Sequence, residues 1–396
     1  MEGINALRHR ILLLSQFLLI CAVVYLKLRA DSAYFLTPDS HYYLQAAQNL
    51  LAGNGYRIVF EGKETFCAIW PVGYSALIAG MSALSTFSVE TASKIVNLMA
   101  LAGCFWLIYR RFQDKAWFVA LGLMTSSLVQ LYTNTWSETV FLFFVLGFCI
   151  HPSSYKEKGT GVEVVGFLWA LGAFLTRYAG VFLLIPLLIR RRFRTAIYYS
   201  LFISGYLLYN FYQTHTFTGG HGFWPNEPFE ERLLRGMRGL GEEALFFAVR
   251  DWELKRLTLS ASAQWFIYGV ALLQFLILTT ICRLVGPSVK SGFKNGLKIL
   301  FRSGFGLQIR NSMGQIRNSM ENVFFLVAIS YLFFTIVIYF ADASIESLYF
   351  RRLGPASLLF TVGGLAWVSE QKHIFEKTKW LFVAFFALSI IHSLPK

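Results

Sequence analysis

The sequence predicts an all-α fold, a polytopic helical membrane protein, and three observations carry that prediction. Of 396 residues, 56% are hydrophobic and only 15% charged, whereas soluble domains carry about 25% charged residues. Apolar runs near the roughly 20 residues that cross a bilayer core recur from end to end. No polar region between them is long enough for a separate soluble domain.

The first run, Ile11–Leu28, follows Arg8 and Arg10 as a signal segment follows its basic flank. Lys27-Leu28-Arg29 is a poor small-residue cleavage site, so the run reads as a retained first helix. Further runs lie at Trp70–Leu84, Ala92–Tyr109, Ala116–Tyr132, Thr139–Ile150, Val164–Leu175, Ala179–Ile189, Ala196–Tyr212, Ala263–Cys282, Val323–Phe340, Pro355–Val368 and Trp380–Ile391. If all crossed, Arg110-Arg111 and Arg190-Arg191-Arg192 would face opposite sides, against the positive-inside rule.

One reassignment removes the conflict. Trp70–Leu84 is short, opens on Pro71-Val72-Gly73 and contains Gly80, Ser82 and Ser85, which suits a membrane-adjacent or re-entrant helix. Without it, the clusters Arg8–Arg10, Arg110–Lys115, Lys156–Lys158, Arg190–Arg194, Arg283–Arg317 and Lys372–Lys379 all become cytoplasmic. About eleven crossings result, N-terminus inside and C-terminus outside, with membrane-adjacent helices in the first outer loop. The chain then forms a single transmembrane domain, 1–396, with a first outer loop at 29–92, a long outer loop at 213–262 and a basic cytoplasmic loop at 283–321.

The net charge of +14 fits such cytoplasmic loops and contact with anionic membrane lipids. Nucleic acid is not indicated, because no basic, aromatic-interleaved soluble module is present. In the basic loop, Lys290, Lys294, Lys298 and Arg302 recur every fourth residue beside Phe293, Leu297 and Leu300. Either an interfacial helix on lipid headgroups or a solvated loop accounts for that spacing. The repeat Ile309–Met313 and Ile316–Met320 has two copies and no functional account. Cys21, Cys67, Cys104, Cys149 and Cys282 are scattered without CxxC spacing, so neither a zinc site nor a disulfide framework is indicated.

Most ionisable residues of interest fall on the outer side. In Thr37-Pro38-Asp39, Thr37 suits a helix N-cap, Pro38 the first helical position, and Asp39 the first turn, where it complements the helix dipole. Tyr43, Ala47, Leu50 and Leu51 share a face of that helix, and Gly53-Asn54-Gly55 ends it. Asp39 is therefore a helix-start carboxylate, or a base for an acceptor hydroxyl or amine held above the bilayer. Glu138 opens another apolar helix after Trp136-Ser137 and invites the same two readings.

Arg177 interrupts two apolar runs, and charge there is costly unless paired or functional. An arginine at headgroup height suits a phosphate, which it binds through charge-assisted hydrogen bonds. Arg351-Arg352 opens a late helix on the same side, against the positive-inside trend, and suits the same ligand.

In the long loop, His215, His221, Glu227, Glu230 and Glu231 match no standard metal spacing. A helix starting at Pro228 would align Phe229, Leu233, Met237 and Leu240 as a lid over the outer site. No P-loop, GxSxG, HExxH or dinucleotide fingerprint stands in a proper context, so soluble nucleotide chemistry is not indicated.

In order along the chain come Asp39 with Tyr42-Tyr43-Leu44, Asn49 to Tyr56, Trp70-Pro71-Val72-Gly73-Tyr74, Ser137-Glu138, Leu175-Thr176-Arg177-Tyr178-Ala179-Gly180, Asn210 with Thr218-Gly219, and Arg352 before Pro355. This series resembles the GT-C glycosyltransferases, in the bacterial branch related to protein O-mannosyltransferases and the lipid A aminoarabinose transferase. The resemblance spans most of the chain, through short motifs whose order and common outer placement carry it.

It implies an integral, multi-pass protein of a bacterial inner membrane with an outward-facing active site. A sugar would pass from a polyprenyl-phosphate donor to a lipid, glycan or protein acceptor, with inversion. By resemblance Asp39 is the acceptor-activating carboxylate. Glu138, Arg177, Tyr178, Arg351, Arg352, Tyr42 and Tyr74 would contact substrate, and Arg177 and Arg352 would stabilise the leaving phosphate. Many relatives carry a second acidic residue beside the first-loop Asp, where this chain has Pro38 and Ser40. No cofactor is certain, and ligand spacing does not indicate a divalent metal. A transporter or flippase of lipid-linked saccharides and a non-catalytic envelope-assembly protein are the alternatives. The first predicts inverted repeats and polar residues at helix centres, and the sequence shows no such repeat.

Overall fold

The computed structural model describes residues 2–30, 36–151, 160–219, 228–245, 261–302, 320–341, 348 and 350–394. It is a helical membrane protein. Fifteen α-helices occur among the described residues: α1 Glu2–Ala30, α2 Pro38–Leu51, α3 Gly73–Ala83, α4 Val89–Phe112, α5 Ala116–Val119, α6 Ser126–Thr133, α7 Glu138–Ile150, α8 Thr160–Thr176, α9 Leu184–Ile189, α10 Phe193–Thr214, α11 Phe229–Leu245, α12 Ala261–Arg302, α13 Met320–Ala341, α14 Phe350–Glu370 and α15 Lys372–His392. By length and composition, four described segments can cross a membrane: Leu7–Ala30, Val89–Met124, Tyr268–Pro287 and Asn322–Phe340.

Several predicted runs are built differently. Ala116–Tyr132 is broken, because Thr125 takes extended backbone and its hydroxyl accepts the Leu128 N–H at 3.3 Å, starting α6 afresh. A hydrophobicity window does not register such a cap. Ala179–Ile189 is a 3-10 turn, Tyr178–Leu183, running into the short α9. Trp70–Leu84 contains the 11-residue α3, about 17 Å long at 1.5 Å per residue and too short to cross. It packs between α2 and α4.

One small element beside the helices was not expected. Strands β1 Arg57–Phe60 and β2 Lys63–Phe66 form an antiparallel hairpin. Its two-residue turn, Glu61-Gly62, has φ of 50° and 76°, the positive pair that a tight hairpin turn requires. Only Ile58 of β1 is buried, so the strands carry little hydrophobic alternation. α2 holds the hairpin: Asn49 Nδ2 donates to the Arg57 carbonyl at 2.8 Å, and Val59 N to Gln45 Oε1 at 2.9 Å.

Side chains at helix ends sort into two sets. At one end His9 stacks on Trp117 at 6.2 Å, Trp117 meets Phe375 and Trp380, and Arg10 lies over Tyr109. Arg192 pairs with Glu163 at 3.8 Å, joining the starts of α10 and α8. These contacts hold the predicted clusters at 8–10, 110–115, 190–194 and 372–379. At the opposite ends Lys27 Nζ donates to the Ser393 carbonyl at 3.2 Å, and there the N-terminus of α4 and the C-terminus of α8 meet the first loop. The cluster at 156–158, the repeat at 309–320 apart from its last residue Met320, and His221 and Glu227 lie outside the described residues. α12 extends in one helix through Pro287 to Arg302, so the basic segment 290–302 is helical.

Helix α11 starts after Pro228 as expected, but only part of the expected face packs. Leu240 packs beside Tyr339 and Leu348, whereas Phe229 and Met237 are 66% and 62% exposed. Arg232, Gly236, Gly239 and Glu243 pack with it: Tyr339 OH donates to the Arg232 carbonyl at 2.8 Å, and Glu243 accepts from Ser127 Oγ at 3.0 Å. A Cβ on Gly239 would lie 1.6 Å from the Leu348 carbonyl oxygen. Close glycine packing, invisible to an apolar-face reading, sets the orientation. A Gly239→Ala substitution is expected to detach α11 from Leu348, read as faster proteolytic cleavage within 228–245. An unchanged cleavage rate would contradict this packing.

Candidate active site

The local sequence around Asp39 fixes its position. Thr37 caps α2 in extended backbone, its hydroxyl accepting the Ser40 N–H at 3.3 Å while Ser40 Oγ accepts the Thr37 N–H at 3.1 Å. This reciprocal capping box leaves Ser40 and Tyr43 to face the turn at 133–137. Ser40 Oγ donates to the Thr135 carbonyl at 3.2 Å, Tyr43 OH and Ser137 Oγ are 3.0 Å apart, and Trp136 Nε1 donates to Thr37 Oγ1 at 2.8 Å.

From the other side α4 secures the same turn. Asn97 Nδ2 donates to the Asn134 carbonyl at 2.8 Å, Lys94 Nζ to the Thr133 carbonyl at 2.7 Å, and Ser93 Oγ meets Thr135 Oγ1 at 2.9 Å. Glu138, the next residue, begins α7 and is fully buried. The starts of α2 and α7 are therefore one rigid unit.

Four charges meet there. Arg351 in the first turn of α14 bridges both carboxylates, with Nη1 on Asp39 Oδ2 and Nε on Glu138 Oε1. Arg177, at the C-terminal end of α8, places Nη1 on the same Glu138 oxygen. Two carboxylates face two guanidiniums, so the cluster is formally neutral. A cation at a helix C-terminus is favoured by the dipole and one at an N-terminus is opposed. Arg177 is thus where its helix favours it, while Arg351 is held against its helix by the carboxylates.

Aromatic rings close the cluster. The Arg351 guanidinium lies 4.5 Å from the Trp136 ring centroid and 5.8 Å from that of Trp70, within cation–π range. Exposure is graded: the Glu138 side chain is 0% exposed, Arg351 9% and Asp39 25%. Glu138 Oε2 and Trp70 Nε1 are buried without a hydrogen-bond partner among the described residues. Burial, and then the Glu138 charge, push the Tyr43 hydroxyl well above its ordinary range, so it stays a phenol.

The other predicted residues divide. Tyr178 stands behind the cluster: its hydroxyl donates to the Ala68 carbonyl at 2.8 Å and accepts from Asn210 Nδ2 at 2.7 Å. Arg352 is half-buried, within electrostatic range of Tyr331. Tyr74 is fully buried, donates to Asn97 Oδ1 at 3.1 Å and meets Tyr43 edge-on. Tyr42 packs beside Phe60 of the hairpin. Tyr43 and Trp70, quoted from sequence within motifs and not as site residues, join the site, as do Trp136 and Lys94, which were not singled out for it. Trp136 carried a signal, as the aromatic directly before Ser137-Glu138.

Glycines let the motifs approach. A Cβ on Gly73 would lie 2.5 Å from the Leu175 carbonyl oxygen, two residues before Arg177. Gly219, at φ +65°, sits against Ile69 N in the same way. Gly73→Ala is expected to lower stability by about 1–3 kcal/mol by forcing the first loop from α8. Thermal unfolding in detergent checks it, and an unchanged midpoint would contradict the packing.

Among the described residues no group of three His, Cys, Asp or Glu is placed to hold a metal ion. The two carboxylates of the cluster, Asp39 and Glu138, share the Arg351 guanidinium.

No family model matches the chain, and no curated protein matches it. Two solved structures are similar to it. They are crystal structures of ArnT from Cupriavidus metallidurans, one in the apo state and one bound to undecaprenyl phosphate. Each covers 96% of this chain and 77% of its own, at 13% and 14% identity respectively and a TM-score of 0.39.

Proposed function

We propose that this protein transfers a sugar from a polyprenyl-phosphate donor to an acceptor at the outer membrane–water boundary. One observation carries the reading: Asp39, Glu138, Arg177 and Arg351, drawn from four helices, form one cluster at helix ends, with only Asp39 substantially open to solvent. A lipid-borne phosphate needs cations at headgroup height, and an acceptor needs a carboxylate reachable from water. The motif resemblance to GT-C glycosyltransferases supports the same assignment. About eleven crossings with the cluster outside follow from the charge pattern.

In this mechanism Asp39 takes the proton of the acceptor's O–H or N–H as that atom attacks the anomeric carbon. The bond from that carbon to the phosphate oxygen breaks on the opposite face, with inversion. Negative charge developing on the phosphate is met by Arg351 and Arg177, while Glu138 keeps both guanidiniums oriented. The mechanism routes no step through a metal. The acceptor is a lipid, glycan or protein.

The test is a transfer assay with donor radiolabelled in the sugar, in vesicles carrying wild type or Arg177→Ala. Transfer with release of polyprenyl phosphate is expected, and a fall of about 10²–10³-fold in the variant. Movement of intact labelled donor between leaflets without transfer would instead establish the flippase reading.

A further inference from the structure

Resting on the lipid-phosphate reading above, we infer that Arg351 is an exchangeable clamp. The donor's phosphate displaces Asp39 from it, so donor binding releases the carboxylate for proton transfer. The grading of the cluster supports this. Glu138 is fully buried and shared by two guanidiniums, which makes it the fixed partner, whereas the Asp39 side chain is 25% exposed and is the partner an incoming anion can replace.

Trp136 keeps the clamp in place during the exchange. Its ring lies 4.5 Å from the guanidinium, and its N–H is anchored on Thr37, the cap of the helix that carries Asp39. The guanidinium therefore changes anions without leaving its site. A phosphate competes well for it, since charge-assisted hydrogen bonds to guanidinium are strong for both carboxylate and phosphate. While Arg351 engages Asp39 Oδ2, the carboxylate is held in place and only Oδ1 is open to an acceptor. Exchange for the donor's phosphate frees both oxygens to turn toward the acceptor, so donor binding favours acceptor activation.

The experiment measures binding of polyprenyl phosphate, and separately of inorganic phosphate, to the full chain in nanodiscs. Wild type, Asp39→Asn and Arg351→Ala are compared, alongside infrared difference spectra with ¹³C-labelled aspartate. Asn at position 39 removes the competitor, so affinity for polyprenyl phosphate is expected to rise about tenfold, while Arg351→Ala loses it. Binding to wild type is expected to shift a carboxylate band that Asp39→Asn lacks.

Tighter binding without that band would reduce the effect to charge repulsion and overturn the exchange, as would unchanged affinity. A gain confined to inorganic phosphate would overturn the lipid as its source. If wild type binds no polyprenyl phosphate at all, the transferase reading itself fails, a result distinguishable from the others. Matching thermal unfolding of wild type and Asp39→Asn guards the comparison against misfolding, and Asp39→Ala is expected to show the same gain.

Discussion

Asp39→Asn is expected to lower transfer by about 10²–10⁴-fold, the range that a positioned general base contributes. The substitution keeps the size of the side chain and its place in the first turn of α2. It leaves Thr37 and Ser40 to cap the helix through hydrogen bonds that do not involve Asp39. Expression, membrane insertion and thermal unfolding should therefore match wild type while turnover collapses. If Asp39 were only a helix-start carboxylate, the outcome would be reversed: a change of about 0.3–1 kcal/mol in stability and near-normal turnover. The assay separates the two roles that sequence alone leaves open for this residue.

Glu138→Leu has the largest expected effect on stability. Its carboxylate is fully buried and is shared by Arg177 and Arg351. Removing it leaves two guanidiniums near each other and takes away the buried carboxylate they share. Breaking a buried pair by deleting one partner costs about 3–5 kcal/mol, whereas replacing both with apolar groups is often neutral. The double variant Glu138→Leu/Arg177→Met should accordingly regain much of the loss. Thermal unfolding of the purified variants checks this, and additive effects of the two substitutions would contradict the coupling.

Much of this cluster is legible in the sequence. Asp39, Glu138 and Arg177 stand where apolar runs begin or end, and a charge at such a boundary is either dipole compensation or a site. Sequence cannot decide between these, because the decision lies in tertiary pairing across up to 312 residues. The choice between Arg351 and Arg352 is also closed to it. Adjacent helical residues point about 100° apart, and the pattern of apolar residues does not say which one faces the carboxylates. Arg351 bridges the two carboxylates, whereas the sequence reading places Arg352 beside Arg177 at the leaving phosphate.

Other parts are hidden for physical reasons. The Glu61-Gly62 hairpin has too little buried surface to register as alternation. α11 packs through Gly236 and Gly239, residues that a search for apolar stripes passes over. Tyr74 reads as a substrate contact because it belongs to the Trp70–Tyr74 motif, yet its hydroxyl serves Asn97, which in turn holds the turn before Glu138. Such a residue supports the site's geometry from a distance that linear sequence does not display.

Photolabelling with a polyprenyl phosphate that carries a diazirine in its first isoprene unit locates the lipid phosphate most directly. Adducts mapped by mass spectrometry are expected around Thr37–Tyr43, Trp70–Tyr74, Asn134–Glu138 and Arg351, and should be lost with excess unlabelled lipid. Labelling confined to the opposite helix ends, around Tyr109–Lys115 and Lys372–Trp380, would contradict the account.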